Sequence, residues 1–266
     1  MTTPTAIMGI LNCTPDSFSD GGKYIDSAAA LQHARSMIAA GVDIIDIGGE
    51  STKPGTLPVS IDEELTRVIP VIEQIRQESM VAISIDTNKP EVMRAAVQAG
   101  ATMINDVRAL QNDGAIEAAS VLQVPVCMMH MQGLPETMQS NPHYISVIDE
   151  INQFFSKQIN RCVAAGIARS RLILDPGFGF GKTVEHNLLI LKHLDTFKQH
   201  QLPILLGVSR KSTIGAVLNK PVDKRLYGGL AIAALAFSQG VAILRTHDVE
   251  QTKQVFRMLQ AIRTVD

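Results

Sequence analysis

The chain lacks any block of clustered basic residues and has almost no net charge, with 24 lysines and arginines against 26 aspartates and glutamates, a formal charge of -2 over 266 residues. That removes the electrostatic footprint on which nucleic-acid and anionic-membrane binding depend, so a small molecule is the expected ligand. Cysteine is scarce and unpatterned. Cys13, Cys127 and Cys162 form no C-x-x-C pair, which argues against a disulfide framework or a zinc knuckle and suits a reducing cytoplasm. The segment from Met1 to Ile10 has neither the basic start nor the long apolar run of a secretory signal, so none is expected. The most apolar stretch, Gly228 to Leu244, is interrupted by Ser238, Gln239 and Gly240 and reads as buried core rather than a bilayer span. No Ser-, Gly- or Pro-rich linker divides the chain, and a single domain over residues 1–266 is expected.

What the sequence does contain is a repeat of two kinds of segment. Short β-rich apolar runs occur near Ala6–Leu11, Val42–Ile47, Val81–Ile85, Thr102–Ile104, Val124–Met129, Leu172–Leu174, Ile204–Val208 and Val241–Leu244. Helical patterns with recognisable ends lie between them. Asp26 to Ala40 stops at Gly41, Ser60 and Glu63 read as a capping box, Pro90 opens a helix that Gly100 ends, and a long helix follows Pro142. Later helices are expected near Glu185–Lys198, Arg225–Gln239 and Val249–Arg263. Eight strands alternating with eight helices call for parallel strands joined by crossovers, which close into a (β/α)8 TIM barrel of the α/β class; an open doubly wound sheet is the alternative. Within Val81 to Asp86 the large apolar side chains alternate with Ala82, Ser84 and Asp86, which places the small and polar set on the barrel axis.

A barrel of this kind builds its site at the carboxyl ends of the strands. Those ends are polar here: Asn12, Glu50, Asp86, Asn105 and Asp106, His130, Asp175, the run from Ser209 to Ser212, and Arg245 with His247. Each could singly be an Asx turn or a helix cap, but so many together indicate a site. Arg245 and His247 share one strand face and, with Asn12 on the adjoining strand, form an expected anion clamp for phosphate or diphosphate. Asn12 also offers an oxygen to a hard cation such as Mg2+, which keeps waters and shares the substrate phosphates. Asp86, Asn105 and Asp175, facing Lys211, suit a polar heterocycle whose ring edge carries N–H donors.

The glycine-rich segment from Asp175 to Thr183 is no nucleotide loop: a P-loop needs glycine where Pro176 stands, and a dinucleotide fingerprint needs it where Lys182 stands. Its glycines let backbone approach a flat ligand beside Phe180, with Met129, His130 and Met131 as further walls. Two long connections, Cys13 to Tyr24 and Ser51 to Leu57, read as substrate lids.

The stretches Gly9 to Gly22, Asp46 to Gly55 and Asp175 to Lys182 resemble those of the dihydropteroate synthase family, and Asp86, Ile104 to Asp106, His130 to Gly133, Ser209 to Ser212 and Arg245 to His247 extend the resemblance over the whole chain. The resemblance implies a TIM-barrel transferase of folate synthesis that joins a pterin-methyl diphosphate to p-aminobenzoate and releases diphosphate, assisted by Mg2+ and inhibited by sulfonamides. It implies that Asp86, Asn105, Met129, Asp175 and Lys211 hold the pterin, and that Asn12, Lys53, Arg245 and His247 hold the diphosphate, with Asn12 on the metal. Asp86, Lys211, Arg245 and His247 would carry the chemistry. It implies an aminobenzoate pocket of Phe18, Thr52, Pro54, Phe180 and Ser212. Lys53 stands where the family commonly has arginine, which keeps the charge without the bidentate fork. A methyltetrahydrofolate-dependent methyltransferase or a noncatalytic pterin-binding protein would share the pterin carboxylates but have no use for the diphosphate clamp. The segment Leu226 to Phe237 is apolar around most of its circumference, so the late helices cover one another or meet a partner; the resemblance implies a homodimer through them.

Overall fold

A computed structural model describes residues 5–14, 27–51, 56–134 and 137–265 of the chain. Its strands are β1 (Ala6–Asn12), β2 (Ile44–Gly48), β3 (Ala82–Asp86), β4 (Met103–Asp106), β5 (Val126–Met129), β6 (Leu172–Asp175), β7 (Leu205–Gly207) and β8 (Ile243–Thr246). All pair in parallel, in the order β6-β5-β4-β3-β2-β1-β8-β7, and a bridge from Leu174 to Ile204 brings β6 against the start of β7. The result is a nearly closed eight-stranded barrel, as the alternation of segments implies.

The helices are α1 (Ser27–Ala39), α2 (Ile61–Glu78), α3 (Pro90–Ala99), α4 (Ala115–Leu122), α5 (Val147–Ala164), α6 (Val184–Lys192), α7 (Ser212–Leu218), α8 (Leu226–Ser238) and α9 (Val249–Thr264). That is one more among the described residues than the eight expected, because β7 is followed by the short α7 before α8. The helix expected over Glu185–Lys198 stops at Lys192 and continues as a 3-10 run, Leu194–His200. The Ser60 capping box is half made: Ser60 Oγ accepts from Glu63 N at 3.2 Å, but the Glu63 carboxylate turns to Arg67 instead of back to the cap. No helix among the described residues is long and apolar enough to cross a membrane.

Strand parity divides the side chains as expected. Ile7, Leu11, Ile45, Ile47, Ile83, Ile85 and Ile104 belong to the large core between sheet and helices. Met8, Met103, Cys127, Ile173, Leu205 and Ile243 form a separate plug inside the barrel. In β2 and β3 the registers Asp46 to Ser84 and Gly48 to Asp86 carry the same inward parity upward, so polar groups begin where the plug ends. The barrel is therefore dry at its base and ionisable at its mouth.

Candidate functional site

A cavity of about 450 Å³ opens at the carboxyl ends of the strands. Of the residues expected there, Asn12, Asp86, Phe180, Lys211, Ser212, Arg245 and His247 line it. Asn105, Met129 and Asp175 lie buried at the ends of β4, β5 and β6. Phe18, Thr52, Lys53 and Pro54 fall outside the described residues, as does most of both long connections.

The floor is organised by Arg245. Its Nε donates to Asp46 Oδ2 at 2.6 Å and its Nη2 to Asp86 Oδ2 at 2.7 Å. Asp46 Oδ2 also accepts from Asn105 Nδ2 at 3.0 Å. Arg245 is thus a bridge between two carboxylates across the barrel mouth, where the sequence suggested only an anion clamp with Asn12 and His247. Burial opposes its charge, but the pull of Asp46 and Asp86 wins and holds the guanidinium above its ordinary range. In Asp86 burial wins instead: it raises the carboxyl to about 7 against the lowering effect of Arg245, with Asp46 adding repulsion. Asp46 was not among the residues expected at the site. Its inward parity on β2 was the available signal, hidden because its partners lie on strands distant in sequence.

Opposite the arginine stand two lysines of different kinds. Lys211 lies 4.5 Å from the Phe180 ring centroid and donates to Phe178 O. Burial lowers it to about 8, with Asp175 pulling upward. It is aimed by Arg210, whose left-handed backbone (φ 59) turns the chain sharply after β7 and whose own guanidinium meets Asp248 at 2.6 Å. Lys182, only 3% exposed, has no carboxylate within salt-bridge distance among the described residues. Its Nζ donates to Gly177 O at 3.0 Å and Phe180 O at 2.9 Å, and lies 3.0 Å from His130 Nδ1. Burial pushes it down to about 7.

Lys182 gathers the carbonyls of the glycine-rich loop into a tight coil. Gly177, Gly179 and Gly181 all have positive φ, and a Cβ on Gly177 would lie 1.8 Å from His130 O, so only glycine fits this approach. The coil presents Phe180 and Gly179 to the cavity. His130 itself points away from it. Its ring packs edge-on against Phe154 at 5.0 Å, and burial with Lys182 beside it drives its basicity down to about 2. The expectation that His130 walls the pocket is therefore corrected: it is one residue past β5, with parity opposite to Met129, and braces the loop from the helix side.

The remaining side of the cavity suits an anion. His247 Nδ1 lies 3.0 Å from Ser209 Oγ, which orients the ring, and burial with Arg245 nearby lowers the imidazole to about 4, so it is neutral at pH 7. Glu50, at the rim, is neutralised by Lys89 at 2.7 Å, which also holds the buried Glu64 at 2.5 Å. No group of three or more His, Cys, Asp or Glu placed to hold a metal occurs among the described residues. Asn12, a neutral oxygen donor facing the cavity, fits a hard cation that arrives with its own phosphate ligands rather than one held in a protein cage.

The Lys182 arrangement has a testable consequence. Lys182→Met strips donors from buried carbonyls and should destabilise the fold by about 2–4 kcal/mol near pH 8. Because the folded lysine is less basic than the unfolded one, the native state binds fewer protons between pH 7 and 10.5, and wild-type stability gains as pH rises through that window. Denaturant titrations at several pH values should show the gap between wild type and variant widening over that range. A constant gap would mean that burial does not lower the basicity of Lys182 as described.

The comparisons with known proteins agree with this geometry. The family model described as pterin binding enzyme matches residues 8–247. A dihydropteroate synthase of Escherichia coli (strain K12) is 53% identical over 255 residues, covering 96% of this chain and 90% of that protein. The crystal structure of the Yersinia pestis dihydropteroate synthase with a sulfonamide drug complex is 50% identical with a TM-score of 0.94, covering 98% of this chain and 95% of that one. The Xanthomonas albilineans dihydropteroate synthase with 4-aminobenzoic acid is 45% identical with a TM-score of 0.93, covering 99% and 94%. With near-complete coverage at this level of identity, and with the strand-end residues of the resemblance gathered at one barrel mouth, the chain belongs to the dihydropteroate synthase family of pterin-binding enzymes.

Proposed function

We propose that the cavity joins p-aminobenzoate to 6-hydroxymethyl-7,8-dihydropterin diphosphate, giving 7,8-dihydropteroate and diphosphate. The observation that carries this reading is one cavity with two chemistries: Asp86 at its wall, with Asn105 and Asp175 buried at nearby strand ends, for a heterocycle edge, and Asn12, Arg245 and His247 for an anion. Ionised Asp86 and Asp175 accept ring N–H groups, Asn105 and Lys211 meet ring oxygen or nitrogen, and Met129 packs beneath. The E. coli and Y. pestis relatives support the activity, and the X. albilineans complex supports the second substrate.

The reaction breaks the C–O bond to diphosphate, which leaves with the electron pair, and forms a C–N bond from the arylamine with release of one proton. Charge separates on the way, so groups that favour a cationic pterin methylene and an anionic leaving group lower the barrier. The carboxylates do the first; the N–H groups of Arg245 that Asp46 and Asp86 leave free, and the neutral imidazole of His247, do the second. Mg2+ bound at Asn12 would neutralise further charge on the diphosphate when present. Lys53, and the aminobenzoate contacts of Phe18, Thr52 and Pro54, are proposed from the sequence, with Phe180 and Ser212 already at the cavity wall. Sulfonamides would compete there, as the drug complex of the Y. pestis relative suggests. The three free, buried cysteines accord with a reducing cytoplasm.

A second copy of the chain is the proposed partner of the late helices. Phe256 on α9 covers Phe237 on α8 at 5.0 Å between ring centres, yet Tyr227, Leu235, Met258 and Ile262 on the same two helices remain exposed. Mutual covering thus accounts for only part of the apolar surface, and a twofold contact would bury the rest.

Two outcomes check these proposals. Pterin affinity, followed by calorimetry, should rise as Asp86 ionises around pH 7 and fall as Lys211 loses its proton around pH 8. Asp86→Asn should weaken pterin binding about tenfold or more, the loss of one charge-assisted hydrogen bond, and remove the rise near pH 7. Unchanged affinity would show that the heterocycle does not meet Asp86. Light scattering at micromolar concentration should give about twice the 28.8 kDa chain mass; a monomer would refute the interface.

A further inference from the structure

We propose that Asp46 is a positioning residue of the site: it holds Arg245 and Asn105 in place under the pterin and keeps Arg245 divided between two carboxylates instead of bound to Asp86 alone. The inference rests on the reading of this cavity as a pterin site and assigns Asp46 no contact with substrate.

The argument begins with how Asp46 is held. Its Oδ2 takes both described bonds, from Arg245 Nε at 2.6 Å and Asn105 Nδ2 at 3.0 Å. Its Oδ1 is buried with no hydrogen-bond partner among the described residues, and so is the hydroxyl of Ser84, its register partner on β3. Two buried polar atoms left unpaired on adjacent inward positions are an unfavourable arrangement for stability alone. An asparagine at position 46 could still accept from Arg245 and Asn105 through its oxygen, so the hydrogen bonds alone do not call for a carboxylate. A carboxylate there is explained by what its charge does to its neighbours.

That charge acts on Asp86 in two ways. Asp46 repels the Asp86 carboxylate directly, and it draws off one arm of the guanidinium that would otherwise neutralise Asp86 with both. The other charges acting on Asp86 are Glu64 from α2 and Asp106 from β4, which raise it as well, and Lys211 after β7. Glu64 is already paired with Lys89, and Asp106 is satisfied by the backbone N–H groups of Arg108 and Leu110 at 2.7 and 2.8 Å. Asp46 is thus the neighbour whose charge is compensated through the same arginine that serves Asp86. A more basic Asp86 is a better acceptor toward ring N–H donors, and an Arg245 pinned from below presents its remaining N–H groups in one direction.

The test uses the full-length chain and its Asp46→Asn variant, with 6-hydroxymethylpterin as the binding probe from pH 5 to 9. Removing the charge should lower the midpoint of the acid limb of pterin binding by about one pH unit, because Arg245 then serves Asp86 alone. Thermal stability of the variant should fall, because one of the two charges that compensate the buried Arg245 is lost, so the shifted midpoint and not the melting temperature carries the test. kcat for the condensation should fall more than KM for the pterin diphosphate rises, as expected when a reacting constellation is misaligned rather than vacated. A lowered melting temperature with an unmoved midpoint would make Asp46 a merely structural residue and overturn the proposal. Failure of wild type to bind the pterin would instead overturn the reading of the cavity itself, so the two results are distinguishable.

Discussion

Arg245 reaching from β8 past β1 to the carboxylates on β2 and β3 is the contact on which the rest of the mouth depends. A guanidinium at this depth is tolerable only with both carboxylates, and two carboxylates this close are tolerable only with the guanidinium. The charged groups meet across the barrel mouth, and the cavity opens beside them. Asn105 joins through Asp46, so acceptor and donor groups for a heterocycle are ordered before any ligand arrives.

The opposite wall works by a different principle. Lysine sheds its proton far more readily than arginine when desolvated, and both Lys182 and Lys211 are pushed well below their ordinary value by burial. Lys182 uses its donors on backbone carbonyls, turning a glycine-rich loop into a rigid coil; Lys211 stands over Phe180, within reach of ligand and of Asp175. One side of the cavity is thus built on a guanidinium that stays charged, the other on lysines whose charge is adjustable. That asymmetry suits a reaction in which diphosphate departs toward fixed positive charge while the pterin passes through a cationic stage.

Much of this was legible in the sequence, for identifiable reasons. Period-two alternation in Val81 to Asp86 gave the parity of β3, and polar residues at successive strand ends gave the location of the site. What escaped were relations between strands remote in sequence. Asp46 lies 199 residues before Arg245, and no local pattern pairs them. Lys182 was visible only as the residue that spoils a dinucleotide fingerprint, because its role depends on carbonyls of a coil whose shape comes from three glycines with positive φ. His130 was misassigned to the cavity because one residue of parity decides between mouth and helix layer. The short α7 was overlooked since seven residues give too little periodicity to separate it from the connection.

The most direct test of the account is a crystal structure of the protein grown with a 6-hydroxymethylpterin and diphosphate together. The account expects the pterin edge against Asp86, Asn105 and Asp175, its face near Lys211, and the diphosphate beside Asn12, Arg245 and His247, with the Arg245 bonds to Asp46 and Asp86 still in place. A pterin seated away from Asp86, or a diphosphate that displaces Arg245 from both carboxylates, would contradict it.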